Sequence, residues 1–186
     1  MLKKVLAYVL CVAVSALIPA AFCSCGSGDV RPDVLPRDVV EDIVSDYSLD
    51  GGFLFRSDST EEGEYLDEDL ISTYYGDGEK VPDFSAVDSY CVYIDESDAR
   101  EMCEVGLFRF RPDSGADLYA FESFLKNRVE VRLSNARSYP DINKSTLKGA
   151  KFAVAGNYVY YAVVKGESAG IAERIDLLLR GRDGEA

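Results

Sequence analysis

From residue 87 onward the chain sets down one order of signals twice: two runs suited to strands, a turn between them, then apolar residues at helical spacing. Residues 87–94 alternate as a strand, Asp95-Glu96-Ser97-Asp98 reads as a turn, and 102–110 is a second strand. Pro112-Asp113-Ser114-Gly115 leads into a helix over 117–137, with Leu118, Phe121, Leu125, Val129, Leu133 and Ala136 as its core stripe. The second unit has strands at 147–155 and 158–165 around Gly156-Asn157, a two-residue hairpin signal. Its helix, 168–179, offers Ile171, Ala172, Ile175, Leu178 and Leu179 for burial. Hairpins impose antiparallel pairing, so the expectation is an α+β fold: a four-stranded antiparallel sheet carrying both long helices on one face. Tyr90-Cys91-Val92-Tyr93 echoes Tyr158-Val159-Tyr160-Tyr161. Four letters do not establish a duplication, because aromatic strands repeat by chance.

Two short helices are expected ahead of the sheet. The first opens at Pro36, a favoured helix start, and puts Val39, Val40, Ile43, Val44 and Tyr47 on one face. Gly51-Gly52 stops it, and Phe53-Leu54-Phe55 is an apolar stretch suited to pinning this region to the core. An acidic loop over 57–69 precedes the second helix, whose stripe is Leu70, Ile71, Tyr74 and Tyr75 and whose end is Gly76.

The N-terminus is of another kind. Lys3 and Lys4 precede an uncharged apolar run over 5–22, and Cys23-Ser24-Cys25 follows with Gly26-Ser27-Gly28 behind it. This is the layout of a bacterial lipoprotein signal, in which Cys25 is acylated and begins the mature chain. Phe22 stands where Leu is usual. Pro19, Ala20 and Ala21 suit a processed leader better than an uncleaved span, and Phe22 and Cys23 are bulky for ordinary secretory cleavage. The expected organisation is a signal peptide over 1–24, a lipid-anchored flexible tether over 25–37, one domain over 38–181 and a polar tail over 182–186. A tether rich in Gly and Pro would reach about 40 Å when extended.

A net charge of −13 argues against a nucleic-acid partner, since phosphate binding needs a basic surface. The acids crowd into the earlier part of the chain. Across 126–151, Lys126, Arg128, Arg132, Arg137, Lys144, Lys148 and Lys151 face only Glu130 and Asp141. Such a stretch either pairs with the acidic half or forms a solvated face; the sharper reading is a contact for anions or for an envelope partner at Arg128, Arg132, Arg137, Lys144 and Lys148. Of five cysteines, Cys91 and Cys103 remain once the leader and Cys25 are set aside. Strand alternation sets them on opposite faces, which favours two separate half-buried thiols over a disulfide between them.

Chemistry is sparse. The chain has no His and no Trp, which removes the commonest general base, the usual zinc ligand and the indole platform for sugars. No cofactor signature is present. Asp95, Glu96, Asp98, Glu101 and Glu104 cluster around one turn, where acids ordinarily serve solvation and local hydrogen bonding. Asp58, Glu62 and Asp69 fall at positions 1, 5 and 12 of a calcium-loop pattern that lacks its final Glu. Tyr158 and Tyr160 share a strand face that is either covered by the N-terminal helices or offered to a partner.

From residue 67 to 179 the chain resembles an uncharacterised family of small Gram-positive bacterial lipoproteins, a domain of unknown function. The resemblance is carried by Tyr90-Cys91-Val92-Tyr93-Ile94, by Ala99-Arg100-Glu101-Met102-Cys103-Glu104-Val105, by Arg128 and Arg132, by Tyr139-Pro140 and by Gly156-Asn157-Tyr158-Val159. It implies a lipid-anchored extracytoplasmic α+β domain at the cell membrane and assigns no active site. The function expected is non-enzymatic binding or interaction at the envelope, with a membrane held through Cys25 and an envelope protein or polymer as partner. A carboxylate-dependent envelope hydrolase and a small-molecule-binding lipoprotein are the alternatives.

Overall fold

A computed structural model describes residues 29–182. Residues 1–28, which hold the expected signal peptide and Cys25, and residues 183–186 lie outside the described residues. Among the described residues no helix is long and apolar enough to cross a membrane.

The sheet has five strands rather than four. In chain order the elements are α1 (Pro36–Asp46), β1 (Phe53–Arg56), α2 (Glu68–Tyr75), a 3-10 turn (Phe84–Ala86), β2 (Val87–Asp95) and β3 (Cys103–Phe110). They continue with α3 (Leu118–Asn135), α4 (Lys144–Gly149), β4 (Lys151–Ala155), β5 (Tyr158–Val163) and α5 (Ser168–Leu179). The sheet order is β1-β2-β3-β5-β4, antiparallel throughout. The additional strand is the stretch Phe53-Leu54-Phe55-Arg56, which pairs along β2. Residues 147–149, expected to extend a strand, instead finish α4, which Asn143 caps by accepting from the Ser145 amide at 3.1 Å.

Helices cover both faces, which corrects the one-face expectation. Cys91, Tyr93, Val105, Leu107, Tyr158, Tyr160 and Ala162 pack under α1 and α5. Val92, Ile94, Phe108, Phe110, Val159, Tyr161 and Val163 pack under α2, α3 and α4. The sign of this arrangement is apolar residues on both faces of the inner strands, and β5 is buried along its whole length. A pair of helices on one side could not shield both sets. The echoed tetrapeptides fall on the first strand of one hairpin and the second strand of the other, so they do not mark a duplication.

The segment expected to be a free tether is docked from residue 30. The Arg31 amide donates to the Leu179 carbonyl at 2.9 Å, and its guanidinium to Leu178 at 3.1 Å. Asn157 Nδ2 reaches the Pro32 carbonyl at 3.3 Å, and the Tyr158 hydroxyl donates to the Val34 carbonyl at 3.1 Å. Val30 and Val34 pack against the α1/α5 core. Residues 30–35 thus form a strap over one end of the sheet, where the β4–β5 hairpin, the end of β3 and the end of α5 meet.

Candidate functional site

The other end of the sheet opens into a cleft of about 400 Å³ between the end of α2, the β2–β3 turn and the second half of α3. Its floor begins with Glu104, the second residue of β3, which alternation points to the α3 side along with Phe108 and Phe110. A carboxylate there is 2% exposed and requires partners. Arg128 of α3 supplies them: Nε donates at 2.9 Å to Oε2, and Nη2 donates to Oε1, in a two-pronged pairing that guanidinium geometry favours.

Gly106 lies opposite Tyr161 in the β3–β5 pairing. A Cβ there would collide with the Tyr161 ring, so glycine lets the ring lie across β3. The Tyr161 hydroxyl consequently donates to Glu104 Oε2 at 3.1 Å. Tyr161 has a single hydroxyl hydrogen, so the 3.1 Å contact with Tyr75 is a donation from Tyr75. Burial raises both phenols above the ordinary tyrosine range, and the neighbouring Glu104 charge adds to the effect. Burial works against the charge of Arg128, but Glu104 outweighs it and keeps the guanidinium protonated. Arg128 also lies over the Tyr74 ring, 4.5 Å from its centroid, and donates to the Tyr74 carbonyl at 3.3 Å.

One turn further along α3, Arg132 donates to the Ala99 carbonyl at 2.5 Å and so holds the β2–β3 turn to the helix. Glu101 accepts from Asn143 at 2.8 Å, Thr146 at 3.0 Å and Lys165 at 3.2 Å. Burial opposes its charge, yet these donors bring its carboxyl below the ordinary range. Arg100 holds Asp98 at a pKa of about 2. The acids least committed are Asp95, whose Oδ1 accepts from the Ser97 amide, and Glu96, which stands beside the Tyr74 hydroxyl. The site is therefore a cleft with a tied polar floor and an acidic rim.

The remaining sequence candidates are dispersed. Arg128 and Arg132 reach the cleft but are spent on protein partners, which corrects their reading as anion contacts. Arg137, Lys144 and Lys148 are exposed outside it and form no ion pair among the described residues. Tyr158 is 0% and Tyr160 4% exposed, so neither offers an aromatic surface; α1, α5 and the strap cover them. Cys91 and Cys103 are free thiols. They share the α1/α5 face, against the alternation reading, but Cys91 lies opposite Leu107 and Cys103 opposite Asp95. Four residues of register hold them roughly 13 Å apart along the ladder, beyond disulfide reach. Asp58 pairs with Arg37 at 3.3 Å, Glu62 is exposed, and Asp69 sits in the first turn of α2. Among the described residues no group of three or more acids or cysteines could hold a metal ion.

Sequence reasoning placed Glu104 in a solvated turn and missed Tyr74, Tyr75 and Tyr161 as polar partners. The available signal was a glutamate in register with Phe108 and Phe110, two residues before a strand glycine. In comparison with known proteins, the chain matches no family model, no curated protein and no solved structure. Its fold and its cleft are what define it: an α+β domain with a five-stranded antiparallel sheet between helical layers.

Proposed function

We propose that this chain is a lipid-anchored, outward-facing binding protein of the bacterial envelope, and that its ligand enters the cleft above Glu104 and Arg128. The Lys3-Lys4 start, the apolar run and Cys25 support the anchor. The observation that carries the binding role is the closed floor: Glu104, Arg128, Tyr161 and Tyr75 satisfy one another, so the floor holds a shape and leaves no free base to move protons. Acids outnumber cations on the walls; Glu96 is exposed, and among the described residues the Asp95 carboxylate accepts only from the Ser97 amide. That field suits a ligand bearing an amine or guanidinium, for which the Tyr74 ring gives an apolar side.

Thermal denaturation against matched panels of cationic and anionic small molecules tests this. The expected result is a rise in melting temperature with one or more amines, diminished in Glu96→Lys. A rise only with anionic polymer, abolished by Lys144→Glu with Lys148→Glu, would move binding to the basic surface. Turnover of wall glycan that is lost in Glu96→Gln would favour a hydrolase instead.

A further inference from the structure

The strap and the cleft occupy opposite ends of the sheet. At the strap end lie Gly156-Asn157, Arg109 and Leu179; a Cβ on Gly156 would meet Val30 at 3.0 Å, and Arg109 Nη1 donates to the Asp33 carbonyl at 3.2 Å. At the other end, β3 begins at Cys103 beside Asp95, the last residue of β2. The eight residues of β3 separate the two ends, a distance of roughly 24 Å along the strand.

We propose that the strap fixes how the domain stands on the bilayer: strap end toward the headgroups, cleft opening away. This rests on the acylated Cys25 of the preceding reading. Only four residues, Gly26 to Asp29, intervene between Cys25 and the docked Val30. However they are arranged, they reach at most about 18 Å. The free tether expected from sequence, about 40 Å long, would have let the domain tumble; the docked one holds the β4–β5 hairpin and the end of α5 near the lipid. Reach sets the orientation. The tether keeps the strap end within about 18 Å of the lipid, while the cleft rim of Asp95, Glu96 and Asp98 lies at the far end of the sheet, roughly 24 Å further along β3. The lipid surface thus meets the strap end, and the cleft samples the space beyond the membrane.

The chain has no Trp, so one introduced Trp is a unique reporter. Arg182→Trp places it beside the strap, next to Gly181 where that residue packs on Arg31. Ser97→Trp places it on the exposed β2–β3 turn. The full lipidated chain is incorporated into phosphatidylglycerol-containing vesicles that carry a headgroup nitroxide quencher, with circular dichroism checking the fold of each variant. Flotation with the vesicles reports the anchor separately. The expected result is flotation of both variants, loss of emission for Arg182→Trp and none for Ser97→Trp. A Gly/Ser insertion of twenty residues after Gly28 should then relieve the Arg182→Trp quenching. Flotation with equal quenching at both positions, or with none at either, overturns the orientation and leaves the anchor standing. Failure to float overturns the anchor and the orientation with it.

Discussion

Glu104 is held by a short list of neighbours, and each can be removed singly. Replacing it by Gln keeps its size but leaves the Arg128 guanidinium, 16% exposed at its side chain, without a counter-charge. Breaking a buried pair from one side costs about 3–5 kcal/mol, whereas replacing both partners by apolar groups costs far less. The prediction is a large drop in the urea midpoint for Glu104→Gln and a much smaller one for Glu104→Leu combined with Arg128→Met. Equal midpoints for Glu104→Gln and the parent would mean that the pair does not brace the cleft floor. Gly106 belongs to the same set, because any side chain there displaces Tyr161 and with it the hydroxyl that completes the carboxylate's partners.

Among the elements, the strap departs furthest from its sequence signals. Val34→Asp would place a charge against the α1/α5 core and disturb the segment that accepts from Tyr158. A loss of about 1–3 kcal/mol in denaturant unfolding is expected, together with slow hydrogen exchange at the Arg31 amide in the parent chain. A neutral effect and a fast-exchanging amide would return the segment to a free tether. Its Gly/Pro-rich composition resembles a linker because composition reports local preference, while its docking depends on Leu179, Asn157 and Tyr158, more than a hundred residues away. Helix α5 was legible to the residue, since its stripe, from Ile171 to Leu179, has the helical period. Strands β2, β3 and β5 were legible to within a residue or two for the corresponding reason. The four-residue β1 is too short to show alternation, and it exists as a strand because β2 pairs with it. The acidic turn was visible as a cluster, but which acids were tied and which open was not. That depends on Arg128, Arg132 and Asn143 arriving from α3 and from the start of α4.

For the whole molecule, burial of a phenol and two thiols on the α1/α5 face of the sheet sets a limit at alkaline pH. Burial pushes Cys91 up to about 12, Cys103 to about 11 and Tyr160 to about 12, from ordinary values of 9.0 for the thiols and 10.0 for the phenol. Above pH 9 the unfolded chain releases these protons while the folded one retains them, so the unfolded state binds fewer protons and stability falls as pH rises. The contribution is fully present below pH 9 and is lost progressively toward 12, at up to about 1.4 kcal/mol per pH unit for the deeply buried Cys91 and less for the partly exposed Cys103, whose charge water screens. The urea midpoint is predicted to be flat with respect to these groups up to pH 9 and to fall steadily beyond it. A midpoint that holds through pH 11 would contradict their burial.

Location decides what such a cleft can meet, and it depends on one cysteine. The measurement that bears on it most directly is the intact mass of the mature chain, extracted with detergent from the membranes of a bacterial host that processes lipoproteins. The account predicts a chain beginning at Cys25 and carrying two or three acyl groups, and a Cys25→Ala variant that retains its leader and lacks them. An unmodified mature chain beginning at another residue would contradict the anchor and remove the reason for placing the cleft outside the membrane.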